Sequence, residues 1–170
     1  MKILWCVSGA GHYLEESVKE FEIISREHEV SAVTSLAGEE VLKAYGLFER
    51  VLGFCCEVFF EKDLGYSTPL SGSGKFKVAV VAPATANTCA KAALGISDSA
   101  LTNIIAQFTK RRINVIILPS DQGKEVETKI PSGRKIKVYC RKIDLKNVEK
   151  LRKSNYITVI SNPRQIRKSL

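Results

Sequence analysis

A chain of 170 residues, 45% hydrophobic and 26% charged, is long enough to bury a true core; a domain near this size withdraws roughly 70% of its unfolded surface from water. No segment approaches the about 20 consecutive apolar residues of a membrane span, and "MKILWCVSGAG" enters glycine too early for a signal peptide, so the expected compartment is the cytosol. The net charge of +8 is uneven: residues 1–123 carry 12 Lys+Arg against 14 Asp+Glu, whereas residues 124–170 carry 14 against 4. A basic C-terminal quarter suits a solvated face or an acidic partner. No RNA motif and no interleaving of basic with aromatic residues points to nucleic acid.

In chain order, "KILWCVS" (Lys2–Ser8) is an apolar run that ends in Gly9-Ala10-Gly11, the pattern of a buried strand entering a tight loop. Leu14, Val18, Phe21 and Ile24 then recur at helical spacing, with Glu15, Glu16, Lys19, Glu20 and Glu22 as the wet face. "VSAVT" (Val30–Thr34) reads as a second strand and "GEEVLKAYG" (Gly38–Gly46) as a helix closed by glycine. "VLGFCCEVFF" predicts a short strand followed by a turn of helix, and "GYSTPLSGSGK" a loop. Strand "FKVAVVA" (Phe76–Ala82) is stopped by Pro83. It leads to "ANTCAKAALG", a helix start rich in small residues, to a longer helix in "SDSALTNIIAQFTK" with Asp98 near its N-terminus, and to strand "INVIILP" (Ile113–Pro119). Four apolar strands alternating with helices imply an α/β fold, an open Rossmann-like parallel sheet with helices on both faces.

Beyond Gly123, alternation of apolar and charged residues about Ser132-Gly133 predicts a C-terminal β-hairpin over about 124–142. A helix capped by Asp144, a strand "YITVIS" and a short basic tail complete a single domain, 1–170. The five cysteines, including the adjacent Cys55 and Cys56, are odd in number and lack C-x-x-C spacing. They read as reduced packing residues, with no metal site expected.

The ligand crevice of such a sheet lies outside the carboxyl ends of its strands, where every polar loop of interest falls. Ser8-Gly9-Ala10-Gly11-His12 lets backbone approach a phosphate at a helix N-terminus. It departs from the dinucleotide pattern G-x-G-x-x-G, because Leu14 stands at the third glycine position. Strand two ends in Thr34-Ser35-Leu36-Ala37-Gly38, with no acid for an adenosine ribose; hydroxyls and small residues there suit a terminal phosphate, and so a mononucleotide. Thr85, Asn87 and Thr88 add hydroxyl and amide groups at a third strand end, more than helix capping by one residue requires. His12 has two readings, a proton-carrying group near the ligand or a solvated helix start, and His28 reads as surface.

"APATANT" resembles the "P-A-S-A-N-T" motif of the homo-oligomeric flavin-containing cysteine decarboxylase superfamily, and "GISDSALTN" resembles the "G-x-x-D-x-L-L-T" signature that follows it. "WCVSGAGHYLEESV" resembles the opening of that superfamily's redox branch, the archaeoflavoprotein and dihydromethanopterin reductase type. The resemblance runs from Ile3 to about Asp121. It implies FMN as cofactor, held by Gly9, Ala10, Gly11, Ser35, Ala37, Thr85, Ala86, Asn87, Thr88 and Ser120, in a homo-oligomer (trimer or dodecamer) with flavin near subunit interfaces. Two decarboxylase features are missing. The histidine expected fourteen residues before Pro83 is replaced by Pro69, and "PSDQGKEVET" stands where the "P-x-M-N-x-x-M-W" substrate clamp belongs. The expected function is therefore electron transfer from a ferredoxin-like or nicotinamide donor to an acceptor, with a pterin reductase as the alternative and a decarboxylase disfavoured. No residue is assigned a catalytic role.

Overall fold

The computed structural model describes residues 1–64, 70 and 74–170, so most of the loop read in "GYSTPLSGSGK", and Pro69 with it, lies outside the described residues. A parallel sheet of six strands organises the chain: β1 (Lys2–Val7), β2 (Glu29–Thr34), β3 (Glu57–Phe60), β4 (Val78–Ala84), β5 (Val115–Pro119) and β8 (Ile157–Val159), in the order β3-β2-β1-β4-β5-β8. Strand order reverses between β1 and β4, and the loops leaving their carboxyl ends open the crevice expected of such a switch point.

Burial on both faces explains why β1, β4 and β5 are apolar runs and not alternating strands. Ile3, Trp5 and Val7 of β1 pack beneath α1 (Leu14–Ser25), α2 (Leu36–Ala44) and α3 (Phe48–Phe54), through Val18, Phe21, Leu42 and Val51. Leu4 and Cys6 point the other way, onto α5 (Ala86–Leu94), α6 (Ala100–Lys110) and α7 (Lys142–Arg152), through Cys89, Leu101, Ile104, Phe108 and Leu151. Trp5 meets Phe21 edge-on at 5.4 Å, and its indole N–H donates to the Ala82 carbonyl at 3.1 Å, which satisfies the polar end of a buried ring. Among the described residues, no helix is long and apolar enough to cross a membrane.

Several local expectations are corrected. Residues 51–60 run in the reverse order to that predicted, helix α3 first and then β3, an edge strand that the four-residue helix α4 (Glu61–Leu64) follows directly. Pro83 does not stop β4; the strand continues to Ala84 with a register shift against β5 after Val81, because Pro83 sits where no ladder N–H is needed. Asp144 is not the cap of α7 but lies in its first turn, paired with Arg141 at 2.7 Å, which holds its carboxyl below the usual range. Glu20 belongs to the buried side of α1, because Arg167 of the terminal helix α8 (Gln165–Ser169) reaches across to it at 2.6 Å. His28 is half-buried, with an Nδ1 that has no partner among the described residues. The hairpin forms as predicted, from β6 (Glu125–Lys129) and β7 (Lys135–Tyr139).

Candidate functional site

Four loops meet at the carboxyl edge. Ser8 ties two of them together: its buried hydroxyl donates to the Pro83 carbonyl at 2.7 Å and accepts from the Thr85 amide at 2.9 Å. One side chain thereby fixes the loop after β1 against the loop after β4. Gly9 packs so tightly that a Cβ there would stand 2.6 Å from the Ala37 Cβ, and a Cβ on Gly38 would strike the Val7 carbonyl oxygen. These small residues let the N-terminus of α2 close down on the end of β1.

Two helices begin in this crevice with side-chain caps. Ser35 accepts from the Gly38 amide at 3.0 Å, and Thr85 from the Thr88 amide at 3.1 Å, while the Thr85 and Thr88 hydroxyls meet at 3.0 Å. Each cap satisfies one first-turn donor and leaves the amides of Ala37, Ala86 and Asn87 uncapped, among the described residues, at the positive ends of two helix dipoles. Glu61, unremarked in the sequence, accepts from the Leu36 amide at 3.1 Å and the Ala100 amide at 2.8 Å, so one carboxylate joins the starts of α2 and α6. Ser99 and Thr102 form a capping box at the start of α6. Lys91 donates to both Asp98 oxygens at 2.9 Å, which holds that carboxyl below its usual range.

The predicted site residues divide between two adjoining clefts. Ser35, Ala37, Asn87 and Thr88 line one of about 360 Å³, together with Lys91 and Glu61. Ala10, Gly11, Ala86 and Ser120 line the other, of about 300 Å³, which Asp121 and the hairpin residues Val126 and Val138 close. Gly9 and Thr85 line both. Asn87 is exposed and Thr88 buried, and the Ser120 hydroxyl donates to Asp121 at 2.6 Å. His12 lines the second cleft; its Nε2 is buried without a partner among the described residues, and desolvation pushes its pKa below the ordinary imidazole value, opposed by Glu16 and Asp121. Burial pushes the Cys89 thiol up to about 12, so it packs beneath the site as a neutral group. The Ser35 and Thr85 caps and the capping box are local signals readable in sequence; the Ser8 tie, the Glu61 bridge and the hairpin wall join segments far apart in the chain and left no such signal.

Residues 1–169 match the Flavoprotein family along nearly the whole chain. The chain belongs to the Flavoprotein family. Among its relatives, dihydromethanopterin reductase (acceptor) of Methanocaldococcus jannaschii is 41% identical over 143 residues, 77% of this chain and 58% of that protein. The protein of the same name from Methanosarcina mazei is 35% identical over 141 residues, 76% of this chain and 59% of that one. This flavoprotein chain therefore spans less than two thirds of either reductase's length. The DmrB flavoprotein of Burkholderia xenovorans, a cubic protein cage for redox transfer solved in complex with FMN, superposes with a TM-score of 0.84 at 30% identity, over 99% of this chain and 92% of that one.

Proposed function

We propose that this chain binds FMN in the paired clefts and acts as an FMN-dependent reductase that delivers electrons to an acceptor of the pterin class. One observation carries the reading: the loops after β1, β2, β4 and β5 converge on two clefts that share Gly9 and Thr85, at the point where strand order reverses. The groups present fit the cofactor. Uncapped amides at two helix N-termini, flanked by Ser35, Thr85 and Thr88, suit a doubly charged phosphate, and the small Gly9, Ala10 and Ala86 admit a flat ring close to backbone.

FMN, when bound, supplies the electron chemistry. The chain's part is to hold and shield it. Ser8 keeps the two principal loops in register, Ser35 and Thr85 order the helix starts, and Val126 and Val138 of the hairpin cover the second cleft from water. The relatives named for dihydromethanopterin reduction and for redox transfer support this assignment. A cysteine decarboxylase is not favoured, since the clamp sequence is absent after Pro119 and the position of its histidine is taken by Pro69.

The basic surface supports an acidic electron-donor protein, ferredoxin-like in charge. Lys142, Lys146, Lys150 and Arg152 lie on α7, and Lys153 follows it. Association steered by such a patch slows steeply as salt rises; reduction rates independent of ionic strength would remove the acidic donor and leave a reduced nicotinamide. The same reading takes the chain to assemble with copies of itself, as a trimer or dodecamer, in the cytosol. Purified protein is expected to be yellow and to release FMN on denaturation. Anaerobic titration with reduced ferredoxin and with NADPH, followed at the flavin bands, identifies the donor; a colourless protein that takes up no added FMN contradicts the assignment.

A further inference from the structure

A third cleft, of about 370 Å³, lies under the hairpin beside the two already described. The Tyr45 hydroxyl donates to the Lys129 carbonyl at 2.6 Å, tying the end of α2 to β6 and roofing the first turn of α1. This cleft shares Gly11, His12, Tyr45 and Thr128 with its neighbour, so the wall carrying the buried, unpartnered His12 Nε2 is common to both. Tyr13, whose ring lies 3.9 Å from that of His12, is held in the left-handed region at φ 66°.

The charges in this cleft are not self-contained. Glu127 is paired with Lys135 at 2.8 Å, but Glu16, from the first turn of α1, has no hydrogen bond or ion pair among the described residues, and neither has Glu15 beside it. First-turn acids favour the helix dipole wherever they point; here they line a concavity with aromatic side chains. A carboxylate only accepts, so its complement is a ligand with two parallel N–H donors on a flat ring. The 2-amino and N3–H groups of a pterin form such an edge. A nicotinamide ring lacks it.

We propose that the hairpin cleft is the acceptor site, binding a pterin with its 2-amino edge on Glu16, its ring against Tyr13 and Tyr45, and its far edge toward the His12 wall. The proposal rests on the pterin-reductase reading above and adds the place and the recognising group. Lys129 at the rim suits a substituent carrying negative charge.

The test is calorimetric titration of the FMN-loaded protein with 6-methyl-7,8-dihydropterin and with the matching lumazine, in which oxygen replaces the 2-amino group. The lumazine is expected to bind about 10- to 100-fold more weakly, the loss of a hydrogen bond to a charged group. Glu16→Gln, and Glu15→Gln with Glu16→Gln, are expected to weaken the dihydropterin by a similar factor and narrow the preference, with FMN content and reduction by dithionite unchanged. Equal binding of the two ligands, or variants that bind dihydropterin as the wild type does, overturns the site. If dihydropterin reoxidises the reduced flavin of wild type and variants with the same KM, the acceptor class stands and its site lies elsewhere; if wild type neither binds nor reacts with dihydropterin, the reading and the site fail together.

Discussion

The crevice at the ends of β1, β2 and β4 is framed by buried backbone, whereas the cleft under the hairpin is framed by half-exposed side chains. In the first, Ser8, Gly9 and Gly38 sit where an atom more or less meets main chain or a neighbouring Cβ. In the second, β6 alternates exposed with half-buried residues, β7 is exposed at all but Ile136, and the hairpin is fastened to α2 through the Tyr45 hydroxyl. Parallel strands buried on both faces supply a rigid place for the cofactor. The appended hairpin is free to set what is admitted beside it, since its side chains support little of the core.

That contrast is open to direct attack. Gly38→Ala, which drives a Cβ into the Val7 carbonyl, is expected to cost about 1–3 kcal/mol of stability and to lower FMN affinity more than tenfold, read by thermal unfolding and FMN titration. The counterpart in the hairpin, Gly133→Ala at φ 82° with no atom in reach, is expected to cost about 1 kcal/mol locally and leave FMN affinity intact. Equal loss of FMN in both variants would erase the distinction between the two regions. Ser8→Ala strands the half-buried Thr85 amide and loosens two loops; the expectation is about 1–2 kcal/mol in denaturant unfolding, with FMN released in proportion.

Tyr45→Phe removes the exposed bond to Lys129, worth about 0.5–1 kcal/mol, and is expected to raise the KM for dihydropterin severalfold while FMN content stays constant. The smallest effect belongs to His12. Because burial lowers its pKa, the unfolded chain takes the proton first, so this group contributes a loss of stability that begins as pH falls through its ordinary value of 6.5 and levels off below the folded pKa. His12→Asn is expected to flatten that part of the stability profile and leave the region above it unchanged; an identical acid slope in both proteins removes His12 as its source.

The strands most legible in the sequence are those the sheet buries on both faces. "KILWCVS" and "INVIILP" are read from composition alone, because nothing polar fits between two layers of helices. β3 escapes this logic: as an edge strand, half-buried along Val58–Phe60 and followed at once by a helix, it carries the same apolar residues as the helix before it. The site follows the same rule. Ser35 and Thr85 are local caps whose partners lie three residues on, so their positions are visible in the sequence. Glu61 reaches amides 25 and 39 residues away, and Tyr45 a carbonyl 84 residues away, distances that no periodicity reports.

The most direct measurement is anaerobic stopped-flow mixing of the FMN-loaded, dithionite-reduced protein with 6-methyl-7,8-dihydropterin, followed at the flavin bands. The account predicts that oxidised flavin returns with one dihydropterin consumed per FMN, faster than for free reduced FMN in the same buffer. Reoxidation no faster than that of free FMN would contradict it.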